Sequence, residues 1–181
     1  MNNAYEVRGD VTIIFIKKGA EIHECLIDTS DLPKVKEFPN TWHANLVKRS
    51  PGLYVVGYTP RPNRTLIVLH RLIMNAPKGL VVDHINHNPL DNRKENLRIV
   101  TNAQNMQNRL GAQSNSKSGV RGVVWRKDIN KWQVRLRKNG KYYYFGFYDD
   151  LEEAAKASKE AILKFFPFSY EATVKEKQQY E

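Results

Sequence analysis

From Val120 to Phe165 the chain spells out a single local architecture. VRGVVWRK, KWQVRLR and KYYYFGFY are three β-rich runs separated by turn residues, and LEEAAKASKEAILKFF follows with helical spacing. Such a segment folds as a three-stranded antiparallel sheet against one helix, because neither element buries its apolar side alone. The helix should open at Asp149-Asp150, with Glu152 and Glu153 in the first turn, where the positive end of the helix dipole favours acids. Ala154, Ala155, Ala161, Ile162 and Phe165 form its expected buried side. Alternation puts Val123, Trp125, Trp132, Val134, Leu136, Tyr143 and Phe145 on the face toward the helix. Arg126, Gln133, Arg135, Arg137, Tyr142 and Tyr144 fall on the other face.

The first sixty residues are also β-rich. Val11 to Ile16 and Ile22 to Ile27 read as an antiparallel hairpin around Lys-Lys-Gly-Ala, and Leu53 to Tyr58 as a further strand turned in by Pro51-Gly52. Thr65 to Met74 fits a strand, a helix, or a strand passing into a helix. From Gly79 to Arg109 two short apolar runs bracket a long polar loop rich in Asn, Asp and His. GAQSNSKSG, 111–119, is small and polar, as a linker should be. The expected fold class is α+β. A domain spans 1–110, with a β-rich part over 1–60 and a chemical core over 65–110; the linker and a second domain over 120–168 follow, then a fraying tail over 169–181.

Charge narrows the partner. The chain carries 29 Lys and Arg against 19 Asp and Glu, a formal charge of +10, which favours polyanions by attraction and counterion release. Ten of the cations lie between Met106 and Lys141, against one acid, Asp128. A lone cysteine, Cys25, rules out an intramolecular disulfide framework and paired-cysteine zinc sites, and fits a reducing cytosol. No stretch approaches the roughly 20 apolar residues of a membrane span, and MNNAYEVRGD lacks the pattern of a signal peptide. The expectation is a cytoplasmic protein, in a bacterium or a phage-infected host, with no membrane association and no obligatory protein partner.

The polar segment carries the chemistry. Asp83-His84 ends one short strand, Asn96 opens the next, and Asn105 lies about a turn into a helix that Thr101 can cap. Phosphodiester hydrolysis needs a water relieved of a proton, positive charge at the phosphate and leaving oxygen, and a scaffold aligning the two. These residues resemble the HNH family of nucleases, with its ββα-metal core, over His70 to Arg109. The resemblance implies Asp83 as a metal ligand, His84 as the general base, Asn96 as the residue that hydrogen-bonds the His ring, and Asn105 as the second metal ligand. Asn105 stands where many members have His, which makes this an H-N-N variant. An all-oxygen pair of protein ligands suits one Mg²⁺, or Mn²⁺ in its place, better than Zn²⁺. His70-Arg71 resembles a segment that precedes this core in phage and intron-associated members. Arg71, Arg93, Arg98 and Arg109 are the cations placed to meet phosphates, and His87 is read as a solvated loop residue.

Residues 117 to 166 resemble the plant APETALA and ethylene-response-factor DNA-binding domain in Ser-Gly-Val-Arg-Gly-Val, Lys-Trp, Phe-Gly-Phe-Tyr and the Ala-Ala helix. That resemblance implies a sheet lying in the major groove, with Arg121, Arg126, Arg137, Tyr142 and Tyr144 at DNA-contacting positions; Arg135, on the same cation-bearing face, is read as a further DNA contact. Val124 and Tyr142 replace arginines of the plant members, so base specificity does not transfer. Together the two resemblances imply a site-specific endonuclease of the homing kind acting on double-stranded DNA. The rival readings are a DNA-binding regulator with an inactive core and an RNA-binding protein.

Overall fold

The computed structural model of the chain describes residues 1–46, 52–109 and 111–173. It divides into two compact units, Met1–Asn102 and Ala103–Glu181.

The first unit is built on a six-stranded sheet. β1 (Tyr5–Arg8), β2 (Val11–Lys18) and β3 (Glu21–Asp28) are followed by a short helix, α1 (Leu32–Lys36), then β4 (His43–Leu46), β5 (Leu53–Tyr58) and β6 (Leu66–Val68). β1 and β3 both pair antiparallel with β2, β4 joins β2 through Lys17 and His43, and β5 and β6 extend the sheet from β4. The expected hairpin is β2–β3, closed by Gly19-Ala20. Gly19 has φ +61°, a left-handed conformation without steric cost for glycine. Pro51, proposed to lead into β5, lies outside the described residues. The ambiguous stretch from Thr65 to Met74 is a strand passing into a helix, because α2 (Leu69–Ile73) starts directly after β6.

Alternation in β2 and β3 sends Ile14, Ile16, Cys25 and Ile27 into a core with Val35, Trp42, Val55 and Leu69, all of them essentially solvent-free. Gly57 on β5 is demanded by that core: a Cβ there would come within 2.4 Å of the Phe38 ring. A separate hairpin, β7 (Val81–His84) with β8 (Leu97–Val100), places Asp83 opposite Arg98 and His84 opposite Leu97. The helix α3 (Asn102–Asn105) begins at the boundary of the units.

The second unit has the layout that its sequence pattern predicts. β9 (Val123–Arg126), β10 (Lys131–Lys138) and β11 (Lys141–Tyr148) form an antiparallel sheet with β10 in the centre, and α4 (Leu151–Phe165) follows. Asp150 caps α4, accepting from the N–H groups of Glu152 and Glu153. Val123, Val134 and Leu136 pack with Ala154, Ala161 and Ile162. The faces expected of Tyr142, Tyr143, Tyr144 and Phe145 hold, and the register of β11 slips only beyond them, at Gly146 (φ +119°): Arg135 faces Tyr144 but Gln133 faces Phe147. Phe147 is thereby exposed, while Gln133, expected in solvent, is buried between its neighbours Val124 and Phe147.

Two expected boundaries move. The unit boundary falls at Asn102/Ala103 rather than in the 111–119 stretch, so Asn105 and Arg109 belong to the second unit. Hydrogen bonds explain this: Arg121 donates to the carbonyls of Arg109 and Gln107, and Phe168 N–H donates to Gln107 Oε1. The start of the tail is folded, with Ser169 and Ala172 buried and Thr173 N–H bonded to Ser169 O; residues 174–181 lie outside the described residues. Among the described residues no helix is long and apolar enough to cross a membrane.

Candidate active site and nucleic-acid surface

The loop between β7 and β8 is organised by its own amides, which is why it is rich in Asn. Asn86 Oδ1 accepts from Asn88 N–H, Asn88 Oδ1 from Leu90 N–H, and Asn86 Nδ2 donates to Asp91. His87 sits in the left-handed region (φ +63°) and its N–H donates to His84 O, a turn position. The N-terminal sheet holds this loop from outside. Leu26 N–H donates to Leu90 O, Asn92 N–H to Leu26 O, and Lys94 N–H to Asp28. Lys94 Nζ reaches Asp31 at 2.6 Å. Residues 1–60 therefore include a buttress for the loop.

His84 is 5% exposed at the end of β7, against the rings of His70 (centroids 5.0 Å apart) and Tyr54 (5.9 Å). Its Nε2 lies 3.3 Å from Asn92 Oδ1. The Asn92 amide has one sensible orientation, because its Nδ2 donates to the Pro89 carbonyl and to Cys25 Sγ. Oδ1 thus faces His84 as an acceptor, Nε2 carries the proton in the neutral ring, and the basic lone pair is on Nδ1. Burial lowers the His84 pKa below its usual value; Asn92, Asp83 and Asp91 oppose that effect in part.

Asn92 therefore takes the ring contact expected of Asn96. Asn96 accepts from Asn86 N–H at 2.9 Å and donates to Asp91 O at 2.8 Å, so its amide closes the loop backbone rather than touching His84. The physical reason is geometric: β8 begins at Leu97, opposite His84, and the Asn96 carbonyl already accepts from Ile85 N–H. A signal for Asn92 existed in the sequence, an Asp-Asn pair in the middle of a loop bordered by apolar runs.

Asp83 is buried beside His84, and its Oδ2 accepts from Arg98 Nε (2.9 Å) and Nη2 (2.7 Å). Arg98, expected at a phosphate, is thus the partner of Asp83, and their opposition across the β7–β8 hairpin accounts for the pairing. Asn105 ends α3 in the second unit. Among the described residues no three His, Cys, Asp or Glu side chains converge as a metal cage. The donor chemistry suits a hard cation at Asp83, a carboxylate at the mouth of a polar loop, provided the cation shares that carboxylate with Arg98.

Other expected phosphate contacts are also already engaged. Arg71 donates to the carbonyls of Leu80, Ala76 and Pro77, tying down the loop after α2. Arg93 forms a fork with Asp91 and a third contact to Glu95 at 2.6 Å. In the second unit Arg121 is a brace, bonded to the carbonyls of Arg109 and Gln107, with its guanidinium 5.2 Å from the Phe166 ring centroid. Arg126 pairs with Asp128 in solvent. Arg109, Arg135 and Arg137 are not held by acids among the described residues; the last two lie over the Tyr142 ring, and Tyr144 is 62% exposed.

A hairpin that carries a buried Asp-His pair, an amide-closed loop and a helix next in the chain follow one another in the element order of a ββα-type core. Residues 68–107 match the HNH endonuclease family. Protein 3.8 of Escherichia phage T7 is 37% identical over 94 residues, which cover 52% of this chain and 77% of that protein. A protein of Acanthamoeba polyphaga mimivirus named as an HNH endonuclease is 37% identical over 78 residues, 40% of this chain and 38% of its own. A Bacillus subtilis protein, SPbeta prophage-derived and named as an HNH homing endonuclease, is 40% identical over 60 residues, 30% and 35% of the two chains. The match thus spans little more than a third of each of these two relatives. No solved structure matches the chain. The chain belongs to the HNH endonuclease family.

Proposed function

We infer that the protein is a site-specific endonuclease of the homing kind that hydrolyses double-stranded DNA. The observation that carries this reading is the buried Asp83-His84 pair, with the His84 proton assigned to Nε2 by Asn92. His84 Nδ1 takes a proton from water, the water oxygen attacks phosphorus, and the 3′-oxygen leaves. Burial keeps His84 neutral and ready to accept that proton at neutral pH. Asn92 holds the ring, and Asn96 holds the loop that carries Asn92. Asp83 and Asn105 are the residues that would hold one Mg²⁺ or Mn²⁺, whose charge would stabilise the phosphate and leaving oxygen. One chain carries one such centre and should nick one strand. Cys25, fully buried, is compatible with a reducing cytosol as the place of action.

The second unit, read as an APETALA-like module, adds DNA affinity through Arg109, Arg126, Arg135, Arg137, Tyr142 and Tyr144. The Arg126–Asp128 pair is exposed and weak in water, so a phosphate can replace the carboxylate. Arg98 on Asp83 favours one rival, a DNA-binding regulator whose core does not cut. Supercoiled DNA from candidate hosts and phages, incubated with wild type and His84→Ala in magnesium, manganese or chelator, separates the two. Metal-dependent open circles or linears with wild type, absent with His84→Ala although binding persists, establish the nuclease. Binding without cutting in either metal favours the regulator.

A further inference from the structure

Beside the sheet of the second unit lies a cleft of about 1010 Å³. It opens where β9 stops: β9 pairs with β10 only from Lys131 to Val134, and Leu136 to Lys138 beyond that point line the cleft. The rest of its lining includes residues of the 103–118 segment and Phe166.

Its chemistry has one sign. Arg109, Lys117, Lys127, Arg135 and Arg137 line it, along with Arg121 and Lys138, and among the described residues no Asp or Glu does. Elsewhere in the molecule acids hold Arg93, Arg98, Arg126 and Lys131. Among the described residues none of the cations of the cleft has a carboxylate within ion-pair distance. Between these charges sit apolar groups left in water: Tyr142 is 47% exposed and Met106 66%. Arg135 and Arg137 lie 4.8 and 5.6 Å from the Tyr142 ring centroid, so charge and aromatic surface are adjacent.

A recess of this composition fits a ligand with repeated negative charge and free planar surfaces. A duplex does not offer both, since its base faces are stacked inside, and its major groove receives a protruding element rather than entering a recess. An unpaired strand offers both, with phosphates for the cations and base faces for the Tyr142 ring. We propose that this cleft binds a single strand of DNA, a base against Tyr142 and phosphates on Arg109, Lys117, Lys127, Arg135 and Arg137; Trp125, paired with Trp132, projects from the opposite, helix-side face of the sheet. The proposal rests on the reading that the second unit binds DNA, and specifies the form of DNA it takes.

The test is fluorescence anisotropy with the full chain in chelator, where no cutting occurs, using labelled oligothymidylate and its duplex with oligoadenylate. Oligothymidylate should bind more tightly than the duplex. Tyr142→Ala should weaken it roughly 5- to 150-fold, the range for loss of one stacking ring. Phe147→Ala, exposed on β11 but outside the cleft, should leave binding unchanged. Arg137→Gln should flatten the plot of log affinity against log salt by about 0.7. Tighter duplex binding that is indifferent to Tyr142→Ala, yet lost in Arg135→Gln, overturns the single-strand inference and leaves the DNA-binding reading standing. If no second-unit substitution alters binding to either DNA, both fall.

Discussion

His70 should make the first unit sensitive to mild acid. Its ring is 7% exposed, packed edge-on against Tyr54 and His84, and burial pushes its pKa down to about 3, with the charges of His84 and Arg71 adding to the effect. In the unfolded chain the same imidazole titrates near its ordinary value of about 6.5. Between those values the unfolded state binds a proton that the native state refuses. The stability associated with neutral His70 is therefore complete above about pH 6.5 and is lost progressively as the pH falls toward the folded value. From neutrality to pH 5 the loss is roughly 1.5 pH units times 1.36 kcal/mol per unit, about 2 kcal/mol. That is a large part of the 5 to 15 kcal/mol typical of a domain. His70→Phe keeps a ring at the site but removes the proton acceptor, and its stability should fall about 2 kcal/mol less over the same interval. Urea unfolding followed by fluorescence measures this cleanly in a Trp125→Phe, Trp132→Phe background. Only Trp42, fully buried in the first unit, then reports. Equal losses in wild type and His70→Phe would refute the assignment of a buried, unprotonated His70.

Other outcomes follow from the same geometry. Asn92→Ala should lower cleavage about 10- to 100-fold, a usual cost of losing a partner that orients a reacting group, with DNA affinity retained; an unchanged rate would mean that Asn92 does not set the His84 tautomer. Because burial lowers the His84 pKa, the neutral base persists as the pH falls, so the acid limb of the cleavage profile should lie below the ordinary histidine range, and a limb at or above about 6.5 would contradict this. Arg98→Gln leaves a buried carboxylate without its cation and should cost about 3 kcal/mol in chelator. Magnesium should restore part of that loss in the variant more than in wild type; an equal metal response in both would exclude Asp83 as a cation ligand. Burial pushes the Cys25 thiol up to about 12, so it should resist alkylation at pH 8 until denaturant is added, and rapid labelling of the native protein would show that β3 is not closed over it.

How much of this was legible depended on whether the determining contacts are local. The β2–β3 hairpin, the strands of the second unit and the Asp150 cap are written in alternation and turn residues within a few positions of one another. Asp83, His84 and Asn96 could be singled out because their spacing matches a strand, loop and strand. The fate of the arginines was harder to read. Arg98 meets Asp83 only once the hairpin register is known, although that register puts them directly opposite. Arg71 is held by backbone carbonyls, which leave no trace in side-chain identity. Arg93–Asp91 and Arg126–Asp128, each two residues apart, could have been anticipated from sequence. The slip at Gly146 sets Phe147 beside Gln133, on the face away from the helix, because one extra residue inverts the alternation beyond it. Asn92 escaped because its partner Cys25 lies 67 positions earlier in the chain.

That last contact bears on how such a motif can travel. The stretch that matches the family begins at residue 68, yet the amide that orients its histidine is itself held by a cysteine on β3, and the loop around it hangs on the backbone of Leu26. A segment from 68 to 107 grafted onto another protein would carry every emblem of the chemistry and lose the support that fixes the proton on Nε2. Recombination that moves this nuclease intact must take the upstream strands along, or land beside a host strand able to offer the same acceptor and the same edge.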